Sequence, residues 1–275
     1  MIEITVPKER TLKFLGRGSM FNVKEGNTSA FWKDVTGRHM ILIDCGCTVF
    51  SKIEKLKLLS GVEDLSILIT HTHSDHIGSL SDLIHYCRYV KPHIQVTIFC
   101  SMNQILSLRS YLDATGTTVV INEASNMDIQ TMMYKSAVIS DENGLVCEFK
   151  FVTDKSHEVR QATKLIQPMY STGITITFYD KTVYYSGDTM RIPYNLIDVG
   201  AFDEIYVDCA VRDHSPGGAP GTYPHYNLYK MYVDLKRRGV PPCKIYAIHI
   251  DCDGVIEECN NFGINVVENV RKEEL

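Results

Sequence analysis

The segment Thr70-His71-Thr72-His73-Ser74-Asp75-His76-Ile77-Gly78 crowds three histidines and an aspartate into six positions, directly after the apolar run Leu65-Ser66-Ile67-Leu68-Ile69. Imidazole and carboxylate are borderline-to-hard ligands that suit zinc, iron or manganese. Four such groups in so short a loop would crowd a single ion. The order suggests two adjacent ions instead, with His71 and His73 on one and Asp75 and His76 on the other. Ten histidines scattered through 275 residues would rarely fall into this order.

A two-ion site needs more ligands at the ends of other strands, and three residues meet that requirement. His157 follows the strand-like Glu148-Phe149-Lys150-Phe151-Val152. Asp188 sits in Tyr184-Tyr185-Ser186-Gly187-Asp188-Thr189, where an apolar strand ends in a glycine turn, and His249 closes Ile245-Tyr246-Ala247-Ile248. A carboxylate such as Asp188 can bridge two cations, which lowers their repulsion and holds them roughly 3.5–4 Å apart. His39, His85 and His93 lack such context and read as structural or exposed. His214 lies in the Gly/Pro-rich stretch 212–224, which is either a lid over the site or a surface connection.

The elements that must position these residues follow from periodicity. Thr11 to Leu15 reads as a strand before the turn at Gly16 and Gly18, and Ser29 to Trp32 pairs with His39 to Ile43 in a hairpin around Thr36-Gly37. Val49 to Leu59 has helical spacing, and its lysines 52, 55 and 57 form a solvated face. Leu65 to Ile69 is apolar enough for a strand covered on both faces. Ile77, Leu80, Leu83, Ile84 and Cys87 predict a helix directly after the histidine loop. Strands are expected at 94–99, 145–152 and 173–186, the last folded at Asp180-Lys181, with a helix to about Leu112. Ile205 to Val207, Tyr226 to Arg238 and Lys244 to Ile250 then alternate as strand, helix and strand. A short helix and a strand near Ile264 close the chain. Early hairpins followed by strand–helix alternation favour a sheet-containing sandwich with helices outside.

Composition sets outer bounds. With 44% hydrophobic and 22% charged residues the chain can bury a large core and is not expected to be disordered. No apolar run approaches the roughly 18 residues a membrane span needs. Met1-Ile2-Glu3-Ile4 starts with strand-like alternation rather than a signal peptide, and nine cysteines without framework spacing fit reduced thiols, so a cytoplasmic protein is expected. Neither Cys45-Gly46-Cys47 nor Cys252 with Cys259 has zinc-ribbon spacing. A net charge of −5 argues against indiscriminate nucleic-acid binding but leaves an anionic substrate open, because bound ions would dominate the local field. The aromatic segment Tyr223 to Tyr232 packs internally or forms an interface, which leaves a homodimer open.

Taken in order, Phe14-Leu15-Gly16-Arg17-Gly18, Leu42-Ile43-Asp44-Cys45-Gly46, the stretch from Thr70 to Gly78, His157, Ser186-Gly187-Asp188-Thr189 and His249 resemble the metallo-β-lactamase superfamily of metallohydrolases. The resemblance implies an α/β protein, an αββα sandwich of two mixed β-sheets with helices on the outer faces, made by residues 1–275 as one domain. It implies that His71, His73 and His157 hold the first metal, that Asp75, His76 and His249 hold the second, and that Asp188 bridges. Asp44 would brace the metal loop from behind. The stretch from Phe14 to Ala30 resembles the branch containing ribonuclease Z and the class II cyclic-nucleotide phosphodiesterases. That branch has an extra histidine opening a helix before the last strand, and His225 corresponds to it. Its acidic companion a few residues later is missing, because Tyr229 and Lys230 stand there. The step from His157 to Asp188 is too short for the arm with which ribonuclease Z grips tRNA, so tRNA processing is not expected.

The expected activity is hydrolysis of a phosphodiester in a small, nucleotide-like anionic substrate. The cofactors would be two divalent ions, zinc by donor type, with manganese or iron as alternatives. Water shared between them loses a proton near neutral pH and attacks phosphorus in line with the leaving oxygen. A metal stabilises the charge developing on a non-bridging oxygen. His225, or Asp75, protonates the leaving group, so the expected catalytic set is Asp75, Asp188 and His225. The same hydroxide could open a lactone, thioester or other carbonyl ester, or the amide of a β-lactam, although a cytoplasmic chain with this N-terminus leans against an antibiotic-degrading enzyme. Some relatives use iron for oxygen or persulfide chemistry. A full second ligand set favours a hydrolase over an iron-dependent oxidoreductase or a non-catalytic binding protein.

Overall fold

Apolar runs of four to seven residues become strands here because each is bounded by a turn and flanked by helices that cover it. The computed structural model of the chain describes residues 10–117, 129–133, 136–141, 144–153, 171–179, 181–189, 191–193, 196, 199–210 and 225–274. A first sheet of six strands runs β1 (Lys13–Gly16), β2 (Ser29–Lys33), β3 (His39–Ile43), β4 (Asp64–Ile69), β5 (Gln95–Cys100) and β6 (Ile129–Met133), in that spatial order. β1 to β3 pair antiparallel and β3 to β6 parallel. The expected hairpin joins β2 to β3; the Asp34 carboxylate holds its turn, accepting from Thr36 Oγ1 (2.6 Å) and the His39 amide (3.2 Å).

The second sheet has seven strands in the order β13-β12-β11-β10-β9-β8-β7. They are β7 (Ser136–Asp141), β8 (Gly144–Thr153), β9 (Thr172–Phe178), β10 (Lys181–Tyr185), β11 (Glu204–Asp208), β12 (Ile245–Ile248) and β13 (Asn265–Val266). β7 to β10 are antiparallel and β10 to β13 parallel, so both sheets are mixed. β6 and β7 were not foreseen: both are edge strands, and Ile129-Gln130-Thr131-Met132-Met133 carries no turn signal to set it off.

Strand alternation divides the core into three. Phe14, Ile41, Ile43, Leu68, Phe149, Ile174, Tyr185 and Tyr206 point between the sheets. On the outer face of the first sheet, β-strand residues such as Leu42, Ile67 and Ile69 meet α1 (Val49–Lys55), α3 (Leu80–Val90) and α4 (Ile105–Ala114). The outer face of the second meets α5 (Leu228–Arg237) and α6 (Asp253–Asn261), with Tyr184 one residue out of phase with Tyr185 and therefore on that side. Burying a side chain of this size fully is worth about 1.5–3 kcal/mol, so the apolar runs commit each strand to its face. The αββα sandwich expected from the motif order is thus present. Among the described residues, no helix is long and apolar enough to cross a membrane.

Candidate metal centre

The strands β3, β4, β10, β11 and β12 all end at one edge of the sandwich, and each delivers ligand-type side chains there. Asp44 follows β3 and His249 follows β12, both with left-handed backbones (φ 60° and 58°). That conformation is unfavourable for residues with a Cβ, and it persists where surrounding bonds enforce it. The Asp44 amide donates to the Leu68 carbonyl (2.9 Å) and the His249 amide to Thr28 Oγ1 (3.1 Å). After β4, the short helix α2 (Ser74–Ile77) carries Asp75 and His76, with His73 at its N-cap. The predicted helix is therefore two helices, α2 and α3, separated at Gly78 and Ser79.

The loop after β3 is latched to α2. The Cys45 amide donates to the His76 carbonyl (2.6 Å), and Ser79 Oγ donates to the Gly46 carbonyl (2.6 Å). Gly46 has to be glycine because a Cβ there would run into the Asp75 carbonyl. Gly46→Ala is therefore expected to push α2 out of place and lower stability by about 1–3 kcal/mol, the usual cost of overpacking, read as a lower melting temperature.

Around Asp188 the side chains form a continuous cluster. His76 Nε2 lies 3.2 Å and His249 Nε2 3.4 Å from Asp188 Oδ1, and His71 Nε2 lies 3.5 Å from Asp188 Oδ2. Asp75 Oδ2 is 3.2 Å from His249 Nε2 and 3.4 Å from His76 Nε2. His71 Nε2 and His73 Nδ1 are 3.0 Å apart. Three donor sets result among the described residues, each with ligand atoms within 4.8 Å of one another: Asp75, His76, Asp188 and His249; His71, His73 and Asp188; and Asp188, Asp208, His225 and His249. Asp188 belongs to all three. The buried atoms Asp75 Oδ1, His76 Nε2, Asp188 Oδ1 and His249 Nδ1 have no hydrogen-bond partner of good geometry. Buried polar atoms left this way within one cluster fit a group that binds there.

The electrostatics balance within the cluster. Burial alone would push the Asp188 carboxyl up, but His249, His76 and His71 outweigh it and hold the group well below the usual carboxylate range. Burial alone would push His76 and His249 down, but the aspartates, Asp188 foremost, hold both imidazoles well above their ordinary value. Negative charge is thus built in where cations could take the place of protons. Asp44, fully buried, accepts from the Thr70 amide (2.8 Å), Thr70 Oγ1 (2.7 Å) and His76 Nδ1 (2.8 Å). With its proton on Nδ1, His76 presents Nε2 to Asp75 and Asp188.

The acidic companion of His225 that is missing at residues 229 and 230 comes from the other direction: Asp208, at the end of β11, lies 2.8 Å from His225 Nδ1 through Oδ2. That oxygen also accepts from the Thr189 amide (2.9 Å), while Oδ1 accepts from the Ala210 amide (3.0 Å). Burial would lower the His225 pKa, but Asp208, with Asp188 adding to it, outweighs burial and holds it above its ordinary value. The signal for Asp208 was in the chain: Glu204 to Asp208 is a wholly buried strand ending in a carboxylate, the same arrangement that gives Asp44 after β3. His225 stacks on His249 at 4.8 Å and lies 3.8 Å from Asp188, so it joins the site. His157, His214 and the loop 212–224 lie outside the described residues. His39 pairs with Asp64 and His85 bonds Thr117, away from the cluster. All nine cysteines are free thiols.

Two mixed sheets between helices, with imidazoles and carboxylates gathered where strands end, define a metallo-β-lactamase fold. The structure is similar to zinc-bound PqqB from Methylobacterium extorquens (TM-score 0.70, 12% identity, covering 94% of this chain and 98% of that one). It is also similar to unliganded yeast PDE1 (TM-score 0.63, 12% identity, covering 95% and 97%). The family model for anti-Pycsar protein Apyc1 matches residues 10–233. The anti-Pycsar protein Apyc1 of Bacillus phage vB_BveM-Goe7 is 41% identical over 244 residues, covering 86% of this chain and 88% of that protein. The chain belongs to the Apyc1 family.

Proposed function

We propose that this protein is a metal-dependent phosphodiesterase that opens cyclic mononucleotides at a two-ion centre. The observation that carries the reading is Asp188, the one carboxylate shared by donor sets made wholly of imidazole and carboxylate. Membership of the family of anti-Pycsar protein Apyc1, together with the resemblance of Phe14 to Ala30 to the class II cyclic-nucleotide phosphodiesterases, supports a cyclic nucleotide as substrate. His71, His73 and Asp188 would hold one ion, with His157 as their further ligand. Asp75, His76, His249 and Asp188 would hold the other, and zinc suits this donor set best.

Divalent ions bound there supply a lowered water pKa and positive charge beside the phosphoryl oxygens. The chain's own residues do the rest. Asp44 fixes the ring orientation of His76, and the Asp75 carboxylate is oriented by His249 and His76. His225, 19% exposed where its neighbours are buried, stands at the open side of the cluster. Held by Asp208 and raised in pKa, it is suited to carry a proton to the departing oxygen.

The test is hydrolysis of cyclic mononucleotides and of bis(p-nitrophenyl) phosphate by zinc-supplemented protein, with metal content measured alongside. Turnover with about two ions per chain is expected. Activity on lactones or thioesters with none on either phosphodiester would overturn the reading. A narrower expectation concerns Asp44. Asp44→Ala removes the partner that orients His76 and is expected to weaken zinc binding by about 10–100-fold, measured by competition with a chelator, while activity at saturating zinc falls much less.

A further inference from the structure

A second feature lies at the far end of the sandwich. β3 and β10 lead to Asp44 and Asp188, but at their opposite ends Lys33 to Gly37 and Phe178, Tyr179 and Lys181 line a separate cleft of about 800 Å³. Strands of five residues put it roughly 15 Å from the metal centre. Trp32, Phe178 and Tyr179 make an aromatic wall, with ring centroids 4.6 Å (Trp32 to Phe178) and 6.2 Å (Trp32 to Tyr179) apart. Among the described residues, Arg10, Lys13, Lys33, Lys57 and Lys181 line the same cleft with one carboxylate, Asp34, whose oxygens are committed to the β2–β3 turn.

This concentration of positive charge runs against a chain whose net charge is −5. Among the described residues, Lys33, Lys57 and Lys181 form no ion pair. Burial lowers the Lys33 pKa, Asp34 offsets part of that, and the Lys13 ammonium adds to the lowering, so the cations are close enough to repel. Backbone conformation singles out the same place. Of the four non-glycine residues with left-handed backbones among the described residues, two are at the metal centre and the others, Lys57 (φ 55°) and Tyr179 (φ 50°), line this cleft.

We infer that the cleft is a second binding site, for a nucleotide: an anion carrying both a phosphate and a planar ring. Ammonium and guanidinium groups match phosphate oxygens. The exposed Tyr179 ring and the half-buried Trp32 offer stacking faces for a base. The volume is in the range of small-molecule sites and suits one nucleotide better than a polymer. The inference stands apart from the metal centre and does not depend on what that centre cleaves.

Trp32 is the only tryptophan, so its emission reports on this cleft directly. The probes are 5′-AMP, adenosine and inorganic phosphate, titrated into the full-length protein. AMP is expected to change Trp32 emission saturably and to raise the melting temperature. Adenosine and phosphate alone should bind at least about tenfold more weakly, as each supplies half of the contacts. The double variant Lys33→Glu/Lys181→Glu should weaken AMP binding at least about tenfold and leave bis(p-nitrophenyl) phosphate hydrolysis unchanged. Lys57→Ala, on a separate loop, should weaken it less and guards against a folding defect in the double variant. Asp188→Ala should leave the AMP response intact. An AMP response that is absent, that survives in both lysine variants, or that disappears in Asp188→Ala would overturn the inference. So would binding of a single-stranded oligonucleotide in place of AMP.

Discussion

Asp188→Ala is expected to lower phosphodiester turnover by at least about 10³-fold, equivalent to ~4 kcal/mol of transition-state stabilisation, and to bring bound metal below two ions per chain. The size follows from position. Asp188 is the only residue common to the His71/His73 set and the Asp75/His76/His249 set, so its loss weakens both ions and removes the group that sets their spacing. It sits beyond the end of β10 and belongs to none of the three apolar cores, so the fold should survive. Far-UV circular dichroism and a thermal melt would check that. Because alanine also leaves a cavity at this buried position, Asp188→Asn serves as the near-isosteric companion, with the same expected loss. Full activity with two ions still bound in either variant would contradict a shared carboxylate. Lost activity with both ions retained would move the role of Asp188 from holding metal to the chemistry itself.

Much of this site was legible in the sequence because its ligands follow a simple rule, a buried apolar strand followed at once by an imidazole or carboxylate. Leu65 to Ile69 before His71, Tyr184 and Tyr185 before Asp188, and Ile245 to Ile248 before His249 all obey it, and the structure brings these residues within hydrogen-bonding range of one another. The strands were visible for the same reason, since burial on both faces needs continuous apolar runs. What escaped had physical causes. β6 and β7 are edge strands, paired on one side only, so their sequences need not be apolar throughout. Asp208 obeys the strand-then-acid rule, yet its partner His225 is 17 positions away. The chain returns His225 to the end of β11 just before α5 begins, and no local spacing encodes that. The cleft around Trp32 was equally hidden, because its lysines come from the chain start, two hairpin turns and the loop after α1.

The Asp208–His225 pair leads to the second large effect, one that depends on the substrate's leaving group. His225→Ala is expected to slow opening of a cyclic mononucleotide by about 10²–10³-fold, the range typical of a positioned general acid. The departing ribose oxygen would leave as a strongly basic alkoxide unless a proton reaches it. The same variant should slow hydrolysis of bis(p-nitrophenyl) phosphate by less than about tenfold, since p-nitrophenolate is a stable anion that needs no proton. Asp208→Asn should reproduce the pattern in weaker form. The amide can still accept from the Thr189 or Ala210 backbone, but it no longer supplies the negative charge that raises the His225 pKa. Because the folded-state pKa of His225 is raised, its protonated form persists to higher pH in the wild type than in Asp208→Asn. The variant should therefore lose cyclic-nucleotide activity at a lower pH on the alkaline side of its profile. Zinc content should stay unchanged in His225→Ala if the ions take the His71/His73/Asp188 and Asp75/His76/Asp188/His249 sets, which remain complete without that residue. A loss of zinc would instead place an ion at the set that His225 shares with Asp188, Asp208 and His249. If both substrates slow equally, the pair acts by shaping the site or binding phosphate rather than by delivering a proton. The ratio of the two rate losses separates those roles in a way that the loss on either substrate alone does not.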